Sequence, residues 1–335
     1  MVMKPYSVIV FAGAASAKAL GAASPRPCVR VHSHAELVAQ SAIRRFAIAF
    51  VDAELLPQLD PRQLRLPVVA IVTEAARQLP SAVEALAAYP WLSHTLSASA
   101  LANAPAAREY LDQFLDRVFQ GAEHRVLGAS GIGRIAMLAS ANRREERFLR
   151  MRDFFAKHKL SDRTATSVLE VAEELVMNAL YDAPFEAGYF KTAVPRSENI
   201  ELPQEHACEI SYGIERDEVF VRLRDTFGAL ARSRLVEVLA RCSTTGVALD
   251  ETRGGAGLGL WRIFSAASTV SITVIEGQVT DIIVSMSTQR GRSAKALRAI
   301  DLFFTPHPPV DWLDAVVLPN DLDMLDQSVT LIVRA

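Results

Sequence analysis

Along the first 120 residues, short apolar runs alternate with amphipathic stretches. The runs Tyr6–Ala12, Pro27–His32, Phe46–Val51, Val68–Thr73 and Trp91–Leu96 are strand-length, whereas Ala35–Arg45, Ser81–Ala88 and Ala106–Gln120 are helical in character. Strands apolar on both faces, alternating with helices, predict a parallel sheet covered on both sides. The pattern changes from Arg143 onward. Arg143–Lys157 is dense in charge, with Phe148, Met151, Phe154 and Phe155 at helical spacing. In Ser167–Asp182 the residues Leu169, Ala172, Leu175, Val176, Ala179 and Leu180 make one helix face apolar. Val219–Asp225 alternates as a strand does, Leu258–Ala267 is an apolar-periodic helix, and Thr269–Ile275 and Thr280–Met286 read as strands joined through Glu276-Gly277. The expectation is an α/β chain with one unit at 1–120, a linker at 121–142, a second unit at 143–290 and an extension at 291–335. In that extension, Leu302-Phe303-Phe304 and Val329–Val333 predict a further strand on the second sheet or a partner surface.

At 335 residues the chain is long enough for two domains of roughly 100–200 residues each. Thirty-six Lys and Arg against 38 Asp and Glu give a net charge of -2, so no general attraction to nucleic acid or anionic membrane is implied. No run approaches the ~20 apolar residues of a spanning helix. Cys28, Cys208 and Cys242 lie far apart and form no CxxC pair, so neither a disulfide framework nor a zinc cluster is suggested, and a reducing, cytoplasmic setting is expected. Lys4, the apolar Val8–Ala15 and the small residues after it imitate a secretory signal. A buried first strand is the better reading, because it completes the alternation that follows.

Three segments carry candidate chemistry. Glu174 and Asn178 are four apart on a helix and project from one face about a turn apart, which can bring a carboxylate and an amide oxygen to one phosphate tail. An amide oxygen can ligate Mg²⁺ and a carboxylate can orient or deprotonate a hydroxyl. Glu173 points elsewhere, into solvent. Asp225 ends a strand and is followed by a turn at Gly228; a buried Asp there can accept from an adenine amino group. In Thr252–Ile263 the glycines 254, 255, 257 and 259 open a helix, so backbone N–H groups and the helix dipole can face an anion. No Gly-Lys-Ser/Thr follows, as a Walker loop requires, and a polar stretch rather than a strand precedes. Gly128, Gly131 and Gly133 imitate the turn of a short-chain dehydrogenase. With no second strand after it, that segment is expected to be an interdomain loop entering a helix.

In order, spacing and element type, the three segments resemble the GHKL (Bergerat-fold) ATPase domain of gyrase, Hsp90, histidine kinases and MutL, and most closely the anti-sigma-factor serine kinases. The resemblance runs from Arg143 to Ser287. It implies ATP and Mg²⁺ as cofactors, with Asn178 holding the metal, Glu174 as general base and Asp225 as main adenine contact. Gly228, Gly255, Gly257, Leu258 and Gly259 would line the nucleotide. It also implies a mobile lid at Ala231–Arg253, from which Arg232, Arg234, Arg241 and Ser243-Thr244-Thr245 could reach phosphates. The chain departs from the pattern at Phe227 and Ala229, where glycines are usual, and at Tyr181-Asp182-Ala183-Pro184, where a Lys or His is usual. None of the seven histidines has a phosphoacceptor context.

The first unit resembles a two-component receiver. Asp52 and Thr73 match its phosphoacceptor and its Thr/Ser, but Phe11-Ala12-Gly13-Ala14 replaces the acidic pair and Trp91–Ala107 contains no Lys. A pseudo-receiver follows, used for docking or dimerisation. The function implied is cytoplasmic signal transduction: a Ser/Thr-type kinase or ATP-dependent regulator of a protein partner such as a sigma or anti-sigma-type factor. Two alternatives stand beside it, an inactive ATP-binding, partner-switching scaffold and an NAD(P)-binding protein using Gly128–Gly133.

Overall fold

The computed structural model describes residues 7–42, 46–64, 66–73, 78–120, 131–244, 258–289 and 297–305. Its first unit runs β1 (Ser7–Phe11), α1 (Ala14–Ala23), β2 (Cys28–Arg30), α2 (His34–Ser41), β3 (Phe46–Asp52), β4 (Val68–Val72), α3 (Gln78–Ala88), β5 (His94–Ser97) and α4 (Ala104–Gln120). The strands are parallel in the order β2-β1-β3-β4-β5. Val68–Val72 is buried along its whole length, as a strand covered on both faces requires. Ser33 starts α2 by accepting from the Glu36 N–H at 3.2 Å, while Glu36 reaches back to the His32 N–H.

The second unit runs β6 (Ile132–Leu138), α5 (Arg144–Lys157), α6 (Asp162–Met177), α7 (Ala183–Glu186), β7 (Cys208–Glu215), β8 (Glu218–Asp225), α8 (Arg232–Thr244), α9 (Leu258–Ala266), β9 (Thr269–Ile275), β10 (Val279–Ser287) and β11 (Ala299–Thr305). Strands β6, β7, β8, β10 and β9 pair antiparallel in that spatial order.

Two expectations change here. Ile132–Leu138 is no loop but an edge strand, antiparallel to β7. A dinucleotide turn needs a parallel βαβ unit, so Gly131 and Gly133 do not sit in one; Gly128 lies outside the described residues. The second concerns β11, in the C-terminal extension, which forms the expected further strand on the second sheet but does not stop there. It pairs parallel with β9 and antiparallel with β5, and so joins the strands of both units into one 11-stranded sheet.

One apolar core runs along a single face of this sheet, from Ile9 and Val51 through Phe155, Leu175 and Leu223 to Leu302. On the other face α1 and α4 cover Val8, Phe50 and Ile71. Where α4 crosses β11, the core turns polar. Tyr110 donates to Asp301 at 3.0 Å, Arg117 reaches Thr273 at 3.1 Å, and Arg222 grips Asp281 with two bonds of 2.9 and 2.6 Å. Burial pulls Arg117 down to about 10, which leaves it charged at neutral pH.

Asp52, the receiver-like phosphoacceptor match, accepts from the Gly13 N–H at 2.7 Å at the start of α1. A carboxylate there complements the helix dipole. Thr73 is exposed beyond β4. Among the described residues no helix is long and apolar enough to cross a membrane.

Candidate functional site

Ser161 starts α6 by accepting from the Thr164 N–H at 3.3 Å. Val168, Val171, Ala172, Leu175 and Val176 then bury one side of the helix, Glu173 faces solvent, and Glu174 lies at the boundary. At Asn178 the helix widens into a π-helical turn, Asn178–Asp182, in which the Ala183 N–H reaches back to the Asn178 carbonyl. Pro184 gives the physical reason. It has no N–H for the Leu180 carbonyl and its ring would press on that oxygen, so the backbone shifts register one turn earlier. The wider turn brings Asp182 round to the side that carries Glu174 and Asn178.

All three side chains meet one guanidinium. Arg196 donates from Nη1 to Glu174 Oε1 at 3.1 Å, and from Nη2 to Asn178 Oδ1 at 2.8 Å and Asp182 Oδ2 at 2.7 Å. The Glu174 and Asp182 carboxylates hold the Arg196 pKa above its usual value against the opposing effect of burial. Its loop is tied down beside the same turn: the Tyr181 hydroxyl donates to the Glu198 carbonyl, and the Tyr189 N–H donates to the Pro184 carbonyl at 2.8 Å.

The glycine helix reaches the same place. α6 packs against both α9 and β8. At Gly259, the second residue of α9, an added Cβ would stand 1.9 Å from the Glu174 carboxyl. Only a residue without a side chain allows that approach. Leu258 opens the helix, and Gly255 and Gly257 lie outside the described residues.

Asp225 is buried at the end of β8 and accepts from the Phe227 N–H at 2.9 Å and the Gly228 N–H at 3.4 Å. Burial raises its pKa to about 6, and those N–H groups pull the other way. Cys208, its neighbour on β7, is pushed to about 12 by burial and then by Asp225, so the thiol is inert at neutral pH. Gly228 has a φ of +57°, and a Cβ there would lie 2.1 Å from the Ile275 carbonyl. It is the closeness of the β9–β10 turn that demands glycine at this position. Phe227 fills the core and stacks on His206 at 4.9 Å between centroids.

Two of the expected lid arginines, Arg232 and Arg234, point elsewhere. Arg232, at the start of α8, donates to the Leu86 and Leu92 carbonyls at 3.0 and 2.6 Å, at and beyond the end of α3. Arg234 pairs with Glu186 at 2.8 Å. Helix α8 is therefore docked on the first unit, and Ser243 closes back on the Ala240 carbonyl. Thr245–Arg253 lies outside the described residues, as does Thr244 beyond its backbone.

The resemblance calls for Mg²⁺ at Asn178. Glu174, Asn178 and Asp182 offer hard oxygen donors of the right kind. Arg196 already occupies them, however, and a second cation at the same oxygens would be repelled by it. As arranged, the set does not fit the metal alongside the guanidinium, and among the described residues no group of three His, Cys, Asp or Glu is placed to hold one. Sequence reasoning missed Arg196. It sits in Ala193-Val194-Pro195-Arg196-Ser197, without periodicity or motif, and its role comes only from the folded loop.

No family model and no curated protein matches the chain. Among solved structures, it is similar to a chain of the SiaB–SiaC complex from Pseudomonas aeruginosa, at 17% identity and a TM-score of 0.34, covering 53% of this chain and 99% of that one. So slight a likeness carries no function.

Proposed function

We propose that this chain is an ATP-binding signalling regulator that acts on a protein partner. The nucleotide lies between α6, the end of β8 and the start of α9. The observation that carries the reading is the convergence of Glu174 and Asn178 with Gly259: a helix that presents oxygens meets, without an intervening side chain, the N-terminal turn of a second helix suited to an anion. Asp225 supplies a buried acceptor one strand away, able to select an amino-bearing base. In this reading Glu174 orients or deprotonates an acceptor hydroxyl, as a Ser/Thr-type kinase would require.

A second reading has an observation of its own. Glu174 is ion-paired to Arg196, which lowers its availability as a base and favours a scaffold that binds nucleotide and switches partners without chemistry.

Titration with a fluorescent ATP analogue, with GTP as competitor, tests the binding. Saturable binding, weakened about tenfold in Asn178→Ala and stripped of its preference for ATP over GTP in Asp225→Asn, is the expected result. Absence of saturable binding by the wild-type chain would remove the reading. Phosphate release then separates the two versions: a wild-type rate abolished in Glu174→Gln supports chemistry, whereas binding without turnover supports the scaffold.

A further inference from the structure

Resting on that nucleotide site, we propose that Arg196 is its phosphate-facing cation, standing where a divalent metal would be, so that ATP binds without Mg²⁺. The geometry is specific. One guanidinium bridges an amide oxygen and two carboxylates from successive turns of one helix face, at 2.8, 3.1 and 2.7 Å. A polyphosphate cannot approach Glu174 and Asp182 unless a positive charge separates them, because three like-charged groups would share one small volume. Arg196 supplies that charge from its own loop.

The side chain is also free enough to serve. Its relative exposure is 41%, so the guanidinium is open to a ligand on one side while the helix holds it on the other. Five donors in a planar fork match phosphate oxygens, and the group stays charged at every working pH. Pro195 before it and the Tyr181–Glu198 hydrogen bond after it limit how far the loop can wander. Asp182 is more exposed than Glu174, 48% against 22%, and is the carboxylate expected to yield its donor when phosphate arrives. The departure from the family pattern at Asp182 then has a counterpart: the acidic residue on the helix recruits a basic one from the loop.

The test is a fluorescent ATP titration of the full chain in excess EDTA and in excess Mg²⁺, for wild type, Arg196→Gln, Arg196→Lys and Asp182→Asn, with circular dichroism melts to verify folding. The wild type is expected to bind with affinities within about threefold in the two conditions, and Arg196→Gln to bind about tenfold or more weakly in EDTA, with Arg196→Lys in between. Asp182→Asn, which frees a donor, is expected to bind more tightly in EDTA, and it decides the matter if Arg196→Gln does not fold. Wild-type binding that requires Mg²⁺ would overturn the proposal while leaving the nucleotide site intact. So would Arg196→Gln binding undiminished in EDTA, or Asp182→Asn binding no more tightly than wild type there. Absence of binding in both conditions would instead remove the nucleotide reading and this proposal with it.

Discussion

A methyl group at Gly259 would stand 1.9 Å from the carboxyl of Glu174, and one at Gly228 would stand 2.1 Å from a main-chain carbonyl. The two clashes have different remedies. Glu174 is a flexible side chain at the rim of the site and can swing away, whereas the β9–β10 turn cannot. Gly259→Ala is therefore expected to melt within a few degrees of wild type, since Ala favours a helix by ~1 kcal/mol, while losing nucleotide affinity because Glu174 is displaced. Gly228→Ala adds a positive φ to a backbone clash and is expected to lose roughly 2 kcal/mol or more of stability in urea denaturation. Asp225 gives a pH signature. Its pKa of about 6 lies above the unfolded value of about 3.9, so its favourable contribution is complete below about 4 and is lost as pH rises through 6, by roughly 3 kcal/mol. Unfolding free energies of wild type and Asp225→Asn should thus diverge between pH 4 and 7, with the wild type losing ground at the higher pH. A constant difference would show a solvated carboxylate.

Elements were legible in proportion to how strongly one face is buried. Helix α6, strand β8 and helix α9 each set apolar residues at the period of their own structure against polar ones, and each forms where its pattern predicts. Strand β6 escaped because it is an edge: Ile132, Ile135 and Met137 are exposed, so no alternation marks it, and its preceding glycines suggest a turn. The π-helical turn that Pro184 forces was hidden by the helical period running through Asp182, and the placement of Arg196 opposite it depends on a loop whose path no local pattern records. Helix α8 shows the same limit. Its charge suggested a lid facing phosphates, yet Arg232 saturates carbonyls left open at and beyond the C-terminal end of α3. Arg232→Ala would strand those carbonyls at a cost of about 1–3 kcal/mol. Faster amide exchange in α8 and α3 together, measured by mass spectrometry, is the expected consequence. Exchange confined to α8 would contradict the docking.

At the scale of the molecule, the boundary drawn between two units in the sequence is bridged by one strand. The apolar run Leu302-Phe303-Phe304 announced β11, but pairing with both β5 and β9 is a non-local outcome that a strand's own pattern cannot specify. Removing residues 298–335 would open the edges of β5 and β9 and leave Tyr110 without Asp301. Two separate unfolding transitions, or aggregation, are expected for the truncated chain, against coincident loss of fluorescence and circular dichroism expected for the full one. A single unchanged transition would show that β11 contributes no coupling. The molecule's function turns on whether α6, the end of β8 and the start of α9 serve one ligand. Hydrogen exchange of the full chain with and without ATP measures this directly. The account predicts simultaneous protection at 171–182, 225–230 and 258–264, saturating at one nucleotide concentration; protection of one segment alone, or of none, would contradict it.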